Sequence, residues 1–129
     1  MSEFLQLEEN DILFVDSSHV SKVGSDVNYE ILEILPRLKP GVLVHLHDIF
    51  LPFEYPKRWI KELNIFWNEQ YLFHAFMAFN CEFQVVWAGS WMHWKYPEKL
   101  TAAFPSYDPA LTQPGSFWIQ RKQSVVVRN

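Results

Sequence analysis

Two short apolar runs, each closed by an acid and separated by the length of one helix, restrict this chain more than any other feature. The first is Asp11-Ile12-Leu13-Phe14-Val15-Asp16, followed by the loop Ser17-Ser18-His19. The second is Val42-Leu43-Val44-His45-Leu46-His47, closed by Asp48. Such near-continuous runs read as strands buried on both faces, as in parallel sheets. Between them Val27, Ile31, Ile34, Leu35 and Leu38 recur at helical spacing, with Ser25 as N-cap and Asp26 in the first turn, where a negative charge is favoured. Pro36 should kink this helix, and Lys39-Pro40-Gly41 should end it. Strand, helix, strand is a βαβ unit. The two strands are therefore expected to be parallel, with a right-handed crossover.

The remaining elements are weaker. Phe50 to Lys57, with two prolines and three aromatics, reads as an extended flap. Asn68 caps a predicted helix to Phe79, with Leu72, Ala75, Phe76 and Phe79 inward. Glu82 to Trp87 alternates as a strand, with Phe83, Val85 and Trp87 on one side. Residues 89–115 form a long Trp- and Pro-rich connection with a short helix at Pro97 to Phe104, and such connections are usually functional. Ser116 to Arg121 is the last strand, and Val125-Val126-Val127 a tail or its continuation.

The 129 residues fit a single domain, 1–129. With 49% apolar and 20% charged residues, the composition excludes a disordered chain. A net charge of −4 argues against binding nucleic acid through phosphate neutralisation. The one cysteine, Cys81, excludes an internal disulfide framework and reads as a small buried hydrophobe. No apolar run reaches the roughly 18 residues of a membrane span, and Met1-Ser2-Glu3-Phe4 lacks the pattern of a signal peptide, so no membrane association and a cytoplasmic location are expected. Aromatics make up 17% of the chain, more rings than a small domain readily buries, which points to an interface.

In an open parallel sheet, ligands sit beyond the carboxyl ends of the strands. Asp16 and Asp48 close the two firm strands, with His19 and His47 beside them. Two carboxylates and two imidazoles on one rim suit acid–base chemistry or a divalent metal; the alternative is that both acids merely cap backbone N–H groups. His45, inside its apolar run, reads as a core histidine. His74 and His93 are weaker candidates still. Lys57, Arg58 and Lys61 read as a solvated helix face. Trp91, Trp94, Tyr96 and Tyr107 could line an apolar pocket. The isolated glycines form no phosphate loop, and Ser17 and Ser18 form no nucleophile elbow.

The ordered set Asp-Ile-Leu-Phe-Val-Asp-Ser-Ser-His at 11–19, Leu-Pro-Arg-Leu-Lys-Pro-Gly at 35–41 and Val-Leu-Val-His-Leu-His-Asp-Ile at 42–49 resembles class I S-adenosylmethionine-dependent methyltransferases. The stretch Trp67-Asn68-Glu69-Gln70-Tyr71-Leu72 and the segment Pro114 to Ile119 fit the same group, so the resemblance covers residues 11 to 121. It implies a doubly wound α/β fold with strand order 3-2-1-4-5-7-6. Asp11–Asp16 then corresponds to the fourth strand, Val42–His47 to the fifth, Phe83–Trp87 to the sixth and Phe117–Arg121 to the antiparallel seventh. The expected fold is a truncated Rossmann-like sheet, 4-5-7-6, with flanking helices. The first three strands, and the glycine-rich turn that cradles the cofactor, have no counterpart in this sequence.

By the same resemblance the catalytic candidates are Asp16, His19, His47 and Asp48, and the cofactor-binding candidates are Asp16, Ser17 and Ser18. The cofactor implied is S-adenosylmethionine, with little binding expected to this chain alone. In metal-dependent O-methyltransferases an Asp after strand four and an Asp-Asn pair after strand five hold a divalent cation. Asp16 and Asp48 match, but Ile49 stands where Asn is expected, so no tight metal is anticipated. Two functions compete: the acceptor half of a small-molecule O- or N-methyltransferase, or a non-catalytic assembly module that kept the fold. Without the first three strands, Asp11–Asp16 becomes an unprotected sheet edge. That edge predicts a homodimer through residues 11–16 or the apolar surface nearby; the alternative is a monomer with Phe4 to Leu7 folded over it.

Overall fold

The computed structural model describes residues 2–123. Val125–Val127 falls outside them. Four strands, β1 (Ile12–Val15), β2 (Leu43–Leu46), β3 (Phe83–Ala88) and β4 (Phe117–Arg121), form one sheet in the order β1-β2-β4-β3. β1 and β2 are parallel, with Ile12 opposite Leu43 and Val15 opposite Leu46, and β4 runs antiparallel to both β2 and β3. Under the correspondence above this is the order 4-5-7-6, a mixed α/β sheet of truncated Rossmann-like form. Among the described residues, no helix is long and apolar enough to cross a membrane.

The segment expected as one kinked helix is three turns of different pitch. Ser25 caps α1 (Asp26–Tyr29), its Oγ accepting the Asn28 N–H. The chain then widens over Glu30–Ile34, closing with Leu35 N–H on Glu30 O, and tightens again over Leu35–Arg37. Pro36 explains the change. It brings no N–H to the Leu32 carbonyl and its ring would collide with that oxygen, so the preceding turn opens. The apolar stripe survives. Val27, Ile31, Ile34, Leu35 and Leu38 are all buried, packed with Val15, Val44, Leu46, Phe117 and Ile119 of the sheet. Each such side chain contributes about 1.5–3 kcal/mol when fully buried.

Two patterns differ from expectation. In α3 (Glu69–Met77) the buried residues are Glu69, Gln70 and Phe73; Ala75 faces outward, and Phe79 lies past the helix end, fully exposed at φ +64°. In β3 a register shift between Val85 and Trp87 breaks the alternation. Phe83 and Val85 stand opposite Arg121 and Ile119 on one face, whereas Trp87 stands opposite Trp118 on the other, so the expected common face of Phe83, Val85 and Trp87 is not kept. Cys81 is exposed rather than buried, in the turn between α3 and β3. The connection 89–115 holds two helices, α4 (Gly89–Lys95) and α5 (Pro97–Ala103), of which only the second was read from sequence. Lys57, Arg58 and Lys61 lie on the exposed side of α2 (Lys57–Lys61), Arg58 pairing with Glu62.

One face of the sheet packs on α3 and the Val27–Leu38 stripe. The strand register places Ile12 and Phe14 on the other face, beside Leu43, His45 and Trp118. Ile12 is 53% and Phe14 55% exposed on this outermost strand. His45 stacks on Trp118 at 4.3 Å, and its Nε2 lies 2.9 Å from Ser116 Oγ. Burial and the neighbouring His47 hold its imidazole below the usual value. Phe4 and Leu7, in a short turn before β1, pack against the core.

Candidate functional site

The parallel pair ends at one rim. Val15 pairs with Leu46, so the next residues, Asp16 and His47, stand side by side, and the His47 N–H donates to Val15 O at 2.9 Å. Both chains then turn sharply, His19 at φ +56° and Asp48 at φ +55°. The left-handed conformation costs an ordinary L residue roughly 1–2 kcal/mol, and such positions cluster where a site is held in place.

The side chains form a file in which carboxylates and imidazoles alternate. Glu69 Oε2 accepts from His19 Nδ1 at 2.7 Å, and His19 Nε2 lies 3.2 Å from Asp16 Oδ1. Asp16 Oδ1 is in turn 3.6 Å from His47 Nδ1, which is 3.3 Å from Asp48 Oδ2. Glu69 (1% exposed) and His19 (6%) are interior, whereas the Asp16 and His47 side chains are each about half exposed. The file thus runs from core to solvent. Burial pushes the Glu69 carboxyl above the usual carboxylate range, and its bond to His19 offsets part of this.

Four contacts fix His19. Its carbonyl accepts the Asn68 and Glu69 N–H groups at 3.1 and 3.3 Å, its ring stacks on Trp67 at 4.0 Å, and Glu69 holds Nδ1. Asn68, expected as a helix cap, instead binds Ser21, its Oδ1 accepting the Ser21 N–H at 2.6 Å. Glu69 and Trp67 were not singled out from the sequence as site residues. The available signal was an acid in a Trp-Asn-Glu-Gln stretch, which also fits an ordinary helix start.

Gln70 ties the flap to the rim. Its Oε1 accepts the Phe50 N–H, its Nε2 donates to Phe53 O, and its own N–H donates to the Tyr55 hydroxyl. Gly115 packs against Asp48, where a Cβ would lie 2.9 Å from Asp48 Cα. Beyond the flap, a cavity of about 240 Å³ is walled by Phe50, Phe53, Trp94 and Pro114, with His93 and Glu54 at its border. Of the four aromatics expected in a pocket, Trp94 lines this one and Tyr107 an adjacent one. His93 bonds Tyr107, and His74 is exposed on α3; neither belongs to the rim.

Ser18 commits both its N–H and its hydroxyl to Asp26, whose carboxyl they hold below the usual range. Among the described residues, no glycine-rich turn follows β1 or β2; the loop after β1 has only Gly24, at φ +73°, with open space around it. The residues present therefore do not form a cradle for the methionine part of S-adenosylmethionine.

Residues 1–49 match the family model described as a methyltransferase domain. Over that stretch, which is less than half of the chain, the sequence is similar to a methyltransferase domain. The matched stretch includes β1, β2 and all four rim residues Asp16, His19, His47 and Asp48, while Trp67 and Glu69 lie beyond it. No curated protein and no solved structure matches the chain.

Proposed function

We propose that this chain supplies the acceptor side of a methyl-transfer site for a hydroxyl or amine of a small molecule, S-adenosylmethionine being the donor that the family likeness suggests. The observation that carries the reading is the alternating file at the carboxyl ends of two parallel strands, where open α/β sheets bind ligands. Asp16 and His47, half exposed, are the members an acceptor can touch. They orient its heteroatom, and a released proton has a carboxylate or imidazole within reach at every step of the file. The cavity beside Phe50 suits the apolar part of a small acceptor.

No step is assigned to the donor, whose cradle the described residues do not provide. Calorimetry of the purified chain with S-adenosylmethionine should register weak binding or none; a dissociation constant in the low micromolar range would overturn that. The acceptor side is tested by titrating small phenols and amines while following the ring resonances of His47 and His19. Shifts confined to the rim and lost in His47→Ala support the reading. If no acceptor class moves these resonances, the second reading gains: an assembly module, favoured by the exposed Ile12 and Phe14 on the outer strand.

A further inference from the structure

We propose that Asp16, His19 and His47 bind one divalent ion of the zinc class, with Glu69 as the positioning residue behind His19. The inference deepens the acceptor-side reading, on which its catalytic meaning rests; the binding itself rests on the arrangement of donors.

Three donor atoms, one from each residue, lie within 4.8 Å of one another. Zinc sits about 2.0–2.1 Å from nitrogen and 2.0–2.2 Å from carboxylate oxygen, which puts two tetrahedral ligands about 3.3 Å apart. Asp16 Oδ1 is 3.2 Å from His19 Nε2 and 3.6 Å from His47 Nδ1. With Glu69 held at Nδ1, the Nε2 of His19 faces a carboxylate oxygen. That separation accommodates a positive centre between the two atoms, a proton or a metal ion. A histidine whose far nitrogen is held by a buried carboxylate is the usual arrangement of a metal ligand, because the carboxylate fixes the ring and raises its basicity.

The donor set also selects the ion. Two imidazoles and one carboxylate favour zinc-like ions over magnesium or calcium, which take oxygen. Ile49 removes a ligand only from the oxygen-rich pattern; His19 and His47 compose a different one. The half-exposed sides of Asp16 and His47 leave the position opposite the protein open, as in three-ligand catalytic sites. A bound ion would supply Lewis acidity toward an acceptor oxygen.

The test uses the chelator-treated chain, with Co²⁺ followed by visible absorption and Zn²⁺ by calorimetry. One ion per chain is expected, with the absorption of a four- or five-coordinate nitrogen–oxygen site that excess Mg²⁺ does not displace. Asp16→Asn and His47→Ala should abolish the absorption, and Glu69→Gln should weaken zinc binding roughly 10–100-fold. His19 and Glu69 are buried, so the two half-exposed positions decide the matter even if substitutions at the buried ones do not fold. The proposal fails if folded wild-type chain shows no saturable one-to-one binding. It fails equally if binding survives His47→Ala unchanged, which would place the ion on another histidine. Because the readout is metal binding, loss of the acceptor reading leaves it standing, and loss of the ion leaves the acceptor titration standing.

Discussion

Glu69 shows how much one side chain in the interior can govern. Replacing it with Ala strands the His19 Nδ1–H, a buried donor, at a cost of about 1–3 kcal/mol measurable by urea unfolding. Gly115→Ala should cost a similar amount, about 1–3 kcal/mol for a crowded site, because its new methyl would meet the Asp48 Cα and the Phe50 ring, each at 2.9 Å. A third residue carries a pH signature. The Ser18 hydroxyl holds Asp26 below its ordinary value, so the folded state favours the carboxylate. That contribution is present above the ordinary carboxylate pKa and disappears as pH falls through the lowered one. Ser18→Ala should return Asp26 toward its ordinary value in a carboxylate NMR titration and shrink the acid-side dependence of stability.

Among the elements, Gln70 at the start of α3 is the hinge pin of the flap. In Gln70→Ala the Phe50 N–H loses its partner, and hydrogen exchange at that amide should accelerate well beyond the change seen in the β2 amides. The parallel pair and the buried stripe were legible because each is written in local periodicity: Val27, Ile31, Ile34 and Leu38 announce their side whatever the pitch of the turns between them. The strand order followed only from the family resemblance. Pro36 signalled an interruption, but a kink and a widened turn begin from the same missing hydrogen bond. The β3 bulge was illegible for a different reason. Nothing in Phe83–Ala88 says where an extra residue enters the strand, so Trp87 was assigned to the face of Phe83 by alternation and stands opposite Trp118 on the other. At the rim, Asp16, His19, His47 and Asp48 were legible as strand-end residues. Their partner Glu69 was not, since it joins His19 across 50 residues and no short-range pattern encodes that meeting.

For the molecule as a whole, the outer strand is the least finished part. Among the described residues β1 pairs only with β2, and its apolar residues Ile12 and Phe14 stay half exposed. The dimer proposed through this strand would pair antiparallel about a two-fold axis. Light scattering at micromolar concentration should then give twice the chain mass, and Phe14→Lys should return it to the monomer. A wild-type monomer under the same conditions would favour the arrangement in which Phe4 and Leu7, already packed on the core, suffice.

The strand that is open on its outer side is also the strand that delivers Asp16. Whatever joins that edge and whatever occupies the rim therefore act on a single short ladder, four residue pairs long, between β1 and β2. If pairing along the edge shifts β1 against β2, the separation of Asp16 from His47 shifts with it, and affinity at the rim changes by some factor. Thermodynamic linkage then requires occupancy of the rim to change the association constant by the same factor. The self-association of this chain and its ligand chemistry would be two readings of one equilibrium, each measurable through the other.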